Sequence, residues 1–291
     1  MRSDVPDFKN VVVVRFSVRS PLFEKKFLSS KAEAAREQWF KFRASLYESS
    51  LGASLSVQSV KPAATYLFFD EADRQLYEQY FHEGNFYPIF ASNTHHEIMS
   101  QHIYSHGLHV HTIVSRIDSD DIIEKRYIEK INAIILAQHE RKELGSQMLT
   151  ACKRGYRTNF SKIQELLHAS PPFINHYFAN FPGGKVTFNH TKLREMKVQC
   201  IYDESAEWLQ IIHGTSVANK FKSPTTGAST LNSFNNASSQ FGRIQNFNAK
   251  WFEDWSGIPS IRAELFESKR LPLSGFMSRA RYIIRLWLGR V

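Results

Sequence analysis

The first long apolar stretch of the chain, Asn10 to Arg19, reads N-V-V-V-V-R-F-S-V-R, with no polar residue among the valines. A strand of this kind offers no face to water, which predicts a central strand of a parallel sheet covered on both sides. The period then changes. From Lys31 to Ser50, Ala35, Trp39, Phe42 and Leu46 recur at helical spacing against Glu33, Arg36, Lys41 and Arg43, predicting an amphipathic helix laid on that sheet. Ala64 to Phe69 (A-T-Y-L-F-F) predicts a second strand and Asp73 to Phe81 its helix, with Asp70 and Asp73 as caps. A third strand over Phe86 to Ala91 precedes a helix from Thr94 to Ser105, and a fourth over Val110 to Ile117 precedes a long helix from Glu124 to Arg141. Strands alternating with helices in this way build the nucleotide-binding half of an α/β fold.

Beyond Arg141 the regular alternation stops. Gln147 to Arg157 predicts a strand with a turn at Gly155, and Lys162 to Ala169 a short helix stopped by Pro171 and Pro172. The apolar run W-L-Q-I-I-H-G ends in His213. Residues 222–250, rich in Ser, Asn, Thr and Gly, are expected as a flexible loop between a main domain over 1–221 and a C-terminal extension over 251–291. In that extension a helix from Pro272 to Leu288 sets Phe276, Ile283, Ile284, Trp287 and Leu288 against Arg279, Arg281 and Arg285. It suits an anchor on an anionic membrane surface, or equally a helix docked on the body or on a second subunit.

Composition narrows the class. With 291 residues, 42% of them hydrophobic, the chain can bury a large core and is not disordered. Cys152 and Cys200 are its two cysteines, as expected of free thiols in a reducing cytoplasm. No leader-like apolar segment or membrane-length span is present in the sequence, so the expected location is cytoplasmic, peripheral to the inner face of the plasma membrane if the last helix is an anchor. The formal net charge of +9 favours anionic partners. Because the cations are dispersed and no nucleic-acid-binding motif occurs, nucleic acid is not expected; a non-enzymatic basic protein that binds nucleic acid or a partner is the alternative class. His95, His96, His102, His106, His109 and His111 crowd one region, as metal ligands or, as we read them, on a solvated helix.

The segment H-T-I-V-S-R-I-D-S-D-D carries the most chemistry. An apolar strand ending in Asp118, Asp120 and Asp121 places carboxylates where open α/β sheets bind ligands, and acids so close favour a hard divalent cation shared with phosphate. The same residues also suit an acidic cap, Asp118 or Ser119, on a helix starting near Ile122. Arg15, Ser17 and Arg19 fall at the end of the first strand, at a nucleotide or at a solvated edge. Gly183 and Gly184 in F-P-G-G-K-V-T-F permit close backbone approach to a ligand, or a plain hairpin turn. Lys185 adds a cation nearby, and Y-D-E-S-A-E supplies Asp203, Glu204 and Glu207.

Taken together, V-V-V-V-R-F-S-V-R, R-E-Q-W-F-K-F-R, Y-L-F-F-D, S-R-I-D-S-D-D and W-L-Q-I-I-H-G-T-S-V-A-N resemble the GT-A glycosyltransferases, and more narrowly a bacterial rhamnosyltransferase family, over Asn10 to Lys220. The resemblance implies a three-layer GT-A-like sandwich, with a mostly parallel nucleotide-binding sheet, a mixed acceptor-side half and a C-terminal helical extension. It implies transfer of a sugar from a nucleotide-diphosphate donor to a glycan or lipid-linked acceptor in bacterial surface polysaccharide synthesis, with inversion. Asp118, Asp120 and His213 would hold Mn²⁺ or Mg²⁺; Arg15, Ser17, Arg116, Asp118 and Asp121 would face the donor nucleotide and sugar. Gly183 and Gly184 would form the Gly-rich loop, and one of Asp203, Glu204 and Glu207, with Asp203 favoured, would be the general base. The acidic segment departs from the family's x-E-D order by reading Y-D-E.

Overall fold

A computed structural model describes residues 6–18, 32–81, 84–91, 95–168, 173–183, 198–213 and 240–258. Strand β1 (Lys9–Arg15) pairs in parallel with β2 (Ala64–Phe69) on one side and β4 (Val110–Asp118) on the other, and β2 pairs in parallel with β3 (Tyr87–Phe90). Val11 to Val14 are at most 1% exposed, so the valine run is covered on both faces as its composition requires. Val12 and Val14 face α1 (Ala32–Tyr47), α2 (Ala53–Ser56), α3 (Arg74–Tyr80) and α5 (Tyr127–Glu140); Val11 and Val13 face α4 (His95–Ser105). The first core is strongly aromatic: Phe16 lies with Phe40, Phe69 and Phe81 at centroid distances of 4.9–5.1 Å. Edge-on aromatic contact adds to the area buried there.

The second half is mixed. β8 (Ile174–Asn180) runs antiparallel to β4, β6 (Gln147–Thr158) antiparallel to β8, and β9 (Cys200–Ile211) parallel to β6. β5 (Asp121–Ile123) then pairs antiparallel with β9. Strands β4, β8, β6, β9 and β5 therefore follow one another round a curl whose two ends are joined by the turn at Ser119 and Asp120. The layered α/β architecture, parallel first and mixed after, is the expected one.

Three local expectations are corrected. Lys162 to Leu167 is a strand, β7, held between β6 and β10 (Gln240–Asn246), because pairing on both sides overrides an apolar spacing that also suits a helical turn. β10 and α6 (Ala249–Ser256) also occupy the end of the stretch expected to be a loop. Gly155 makes no turn; β6 runs straight through it, and a Cβ there would lie 2.2 Å from the ring of the fully buried Trp208. The glycine is thus a packing requirement of the curl, seated beside a tryptophan whose Nε1 donates to the Cys152 carbonyl at 2.8 Å. The helix expected over 272–288, residues 222–239, Arg19, Gly184 and Lys185 lie outside the described residues. Among the described residues no helix is long and apolar enough to cross a membrane.

Two stability predictions follow from the core. Gly155→Ala forces its methyl into the Trp208 ring and should cost about 1–3 kcal/mol, read as a lower urea midpoint; an unchanged midpoint would refute this packing. His176, 6% exposed and stacked on Phe178, has its pKa pushed down by burial to about 4 from 6.5. Its native form binds fewer protons than its unfolded form, so its contribution is intact above pH 6.5 and is lost as pH falls toward 4, by about 2–3 kcal/mol. His176→Gln should therefore flatten the acid limb of stability against pH measured by urea unfolding.

Candidate active site

β1 and β4 are in parallel register, with Arg15 opposite Asp118, so their carboxyl ends open side by side onto one edge of the sheet. β4 ends at Asp118, turns through Ser119 and Asp120, and returns as β5 with Asp121 opposite Gln210 of β9. Two residues beyond the end of β9, His213 arrives over that turn. No helix begins at Ile122; α5 starts at Tyr127, so the acids are not a helix cap.

Asp120 is the centre of the arrangement. Its Oδ2 accepts from Arg43 Nη1 at 2.7 Å and from His213 Nε2 at 2.7 Å, and its Oδ1 accepts from Arg43 Nη2 at 3.2 Å. Arg43 Nη2 also donates to the Ser119 hydroxyl, and Phe42, the residue before it, packs on the His213 ring. Burial alone raises the Asp120 pKa; Arg43 and His213 outweigh it and hold the carboxyl well below the usual range. The neighbouring Asp121 goes the other way. It is 1% exposed, and burial together with the charges of Asp120 and Asp118 pushes its pKa far up. The two neighbours are thus pushed in opposite directions, as expected when buried acids lie side by side and one of them has the cations.

Beside this pair, Arg15, Phe16, Val18 and Asp118 line a hollow at the end of β1. Arg116 Nη2 lies 2.9 Å from Asp118 Oδ1, and the Asp118 side chain is 44% exposed. The Arg15 pKa is lowered, first by partial desolvation and then by Arg116, with Asp118 opposing. Two guanidiniums crowd one carboxylate, so the hollow favours an anion, and the planar fork of each guanidinium suits phosphate oxygens.

Other expected site residues lie elsewhere. Ser17 is 2% exposed and accepts from the Asp70 backbone N–H at 3.2 Å, which ties the end of β1 to the β2–α3 connection. Asp70 does cap, accepting from the Ala72 N–H, whereas Asp73 is buried against Arg36 Nε at 2.6 Å. Asp121 is buried, opposite Gln210 of β9. Gly183, at φ +71°, follows β8 near Tyr104, and β8 ends opposite Val110. It therefore sits at the amino end of β4, roughly 25 Å along the strand from Asp118. Asp203 lies eight residues before Ile211 on β9, roughly 25 Å along the strand, and accepts from the Ser205 backbone N–H and hydroxyl. Glu207 is 5% exposed and paired with Lys130 of α5. Neither acid approaches the Asp120–His213 pair; Glu204 is on the same strand. Arg43, which in the sequence stands only on the polar face of a predicted helix, is the further participant.

The donor chemistry of this edge suits a hard cation. Asp120 supplies carboxylate oxygen and His213 an imidazole nitrogen already adjoining it, and such cations fill their remaining positions with water and phosphate oxygens. Among the described residues no three acid, histidine or cysteine side chains converge as a ready ligand set, and Asp118 is engaged by Arg116 instead.

No family model matches the chain, and no curated protein matches it, so the narrower rhamnosyltransferase resemblance has no matching family behind it. Among solved structures the chain is similar to S. aureus TarS 1–349 in complex with UDP-GlcNAc, at a TM-score of 0.39 and 15% identity over 70% of this chain and 59% of that one. It is similar to S. aureus TarS 1–349 alone (TM-score 0.37, 13% identity, 70% and 60% covered) and in complex with UDP (0.36, 15%, 71% and 61%). The chain spans about three fifths of the length of each of these structures.

Proposed function

We propose that the protein is a glycosyltransferase that takes a sugar from a nucleotide-diphosphate donor and passes it to a glycan or lipid-linked acceptor in cell-surface polysaccharide synthesis, working at the cytoplasmic side of the membrane. The observation that carries this reading is the Asp120 carboxylate, gripped by Arg43 and His213 at the carboxyl edge of a parallel sheet, beside a hollow lined by Arg15 and by Asp118, which Arg116 contacts. A buried acid beside several guanidiniums at a sheet edge suits a phosphate ligand accompanied by a cation.

On this reading Asp120 and His213 hold Mn²⁺ or Mg²⁺, with Asp118 near enough in sequence to join them. When bound, such a cation serves as a Lewis acid for the departing diphosphate. Arg15 and Arg116 take the phosphate oxygens and offset the charge that grows as the sugar leaves. His213 orients Asp120 through the 2.7 Å contact, and as a ligand its Nε2 has to give up its proton. Asp203 and Glu207 are held by Ser205 and Lys130, so the donor half of the site consists of Asp120, His213, Arg15 and Arg116.

Thermal melting tests it. A panel of nucleoside diphosphates and sugar nucleotides with Mn²⁺ should include one that raises Tm by about 5 °C at a hundredfold excess over Kd, since only the folded state binds. Asp120→Ala should abolish that response, and a full response in the variant would exclude Asp120 from the site. Arg15→Gln should weaken the same nucleotide by about 10- to 100-fold in calorimetry, the range for a hydrogen bond to a charged group, while leaving the fold intact by circular dichroism. A nucleic-acid binder would show neither response.

A further inference from the structure

Both oxygens of the Asp120 carboxylate are engaged, and a guanidinium on one side does most of the engaging. Both oxygens face Arg43, at 2.7 and 3.2 Å, and the better-placed one also takes His213. A divalent cation binds carboxylate oxygen at about 2.0–2.2 Å, so on either oxygen it comes close to the guanidinium, and like charges at that range repel strongly. Arg43 cannot stay as it is while Asp120 becomes a ligand.

Arg43 is also poorly settled where it stands. Its side chain is 12% exposed, yet its Nε is buried with no hydrogen-bond partner among the described residues, so the present pose leaves one donor unsatisfied. The guanidinium lies 5.9 Å from the Trp39 ring one helical turn back, an aromatic face on which a released cation can rest. A displaced Arg43 needs another anion to face, and a diphosphate arriving with the cation supplies one that suits its planar fork.

We propose that Arg43 is a counter-ion that competes with the divalent cation for Asp120, so that the site takes metal only together with the phosphate groups that give Arg43 a new partner. This inference rests on the glycosyltransferase reading for the identity of the ligands, and on the Asp120 contacts for the exchange itself. It makes Arg43 a positioning residue: it holds and orients Asp120 in the free protein and couples metal binding to donor binding.

The test is Mn²⁺ affinity, measured without turnover by electron paramagnetic resonance of the free ion or by calorimetry, for the full-length wild type and for Arg43→Gln. Without nucleotide, the variant should bind Mn²⁺ about tenfold or more tightly than wild type, as expected when a charge-assisted, two-pronged competitor is removed. A purely structural role for Arg43 predicts the reverse, so equal or weaker Mn²⁺ binding overturns the exchange. Should Arg43→Gln fail to fold, Arg43→Lys keeps the charge but loses the fork; tighter Mn²⁺ binding supports the exchange and no gain overturns it. Adding UDP or GDP separates the two readings. If either tightens Mn²⁺ on wild type while the variant gains nothing without nucleotide, the exchange falls and the transferase reading stands; if the variant gains Mn²⁺ affinity while neither diphosphate matters, the reverse holds.

Discussion

One carboxylate joins three distant parts of the chain. Asp120 sits in the turn between β4 and β5, Arg43 comes from α1, and His213 from just past the end of β9. None of these groups is comfortable alone: the carboxylate and guanidinium are mostly out of water and the imidazole is 2% exposed. Removing charge from water costs more than most single contacts return, so such groups survive together or not at all. The contact therefore closes the curl of the sheet as well as shaping the site.

The frame that delivers these residues is mostly apolar. The valine strand β1 separates two cores, one aromatic and covered by α1, α3 and α5, the other under α4. In the mixed half, Trp208 fills the curl and presses on the one residue of β6 that has no side chain. The rise of the strands then determines which residues meet. Those at the carboxyl ends of β1, β4 and β9 share an edge, while Gly183 and the Asp203 segment lie roughly 25 Å away along their strands.

Electrostatics explains why adjacent acids here behave differently. Asp118 is half in solvent and shares Arg116; Asp120 is buried but paired on both oxygens; Asp121 is buried, receives a backbone donor from Ile211, and is crowded by the other two. Three positions in a row of four thus hold a half-exposed acid, a buried acid paired with cations and a buried acid crowded by the other two. Environment, not residue type, sets the state of each.

The sequence alone determined a good deal. An uninterrupted valine run has only one stable setting, a doubly covered strand, and a strand closing in R-I-D-S-D-D had to place acids at a sheet edge. The first four strands and the helices between them follow from apolar period, a local property written into each segment. Tertiary structure decided the rest, because it depends on partners far apart in the chain. Six residues, K-I-Q-E-L-L, suit helix or strand until β6 and β10 flank them; Gly155 looks like a turn until Trp208 leans on it. Arg43 reads as solvated helix surface, and only folding brings it onto an aspartate 77 positions later, since the choice of ion-pair partner is made by distance in space and leaves no period in the sequence.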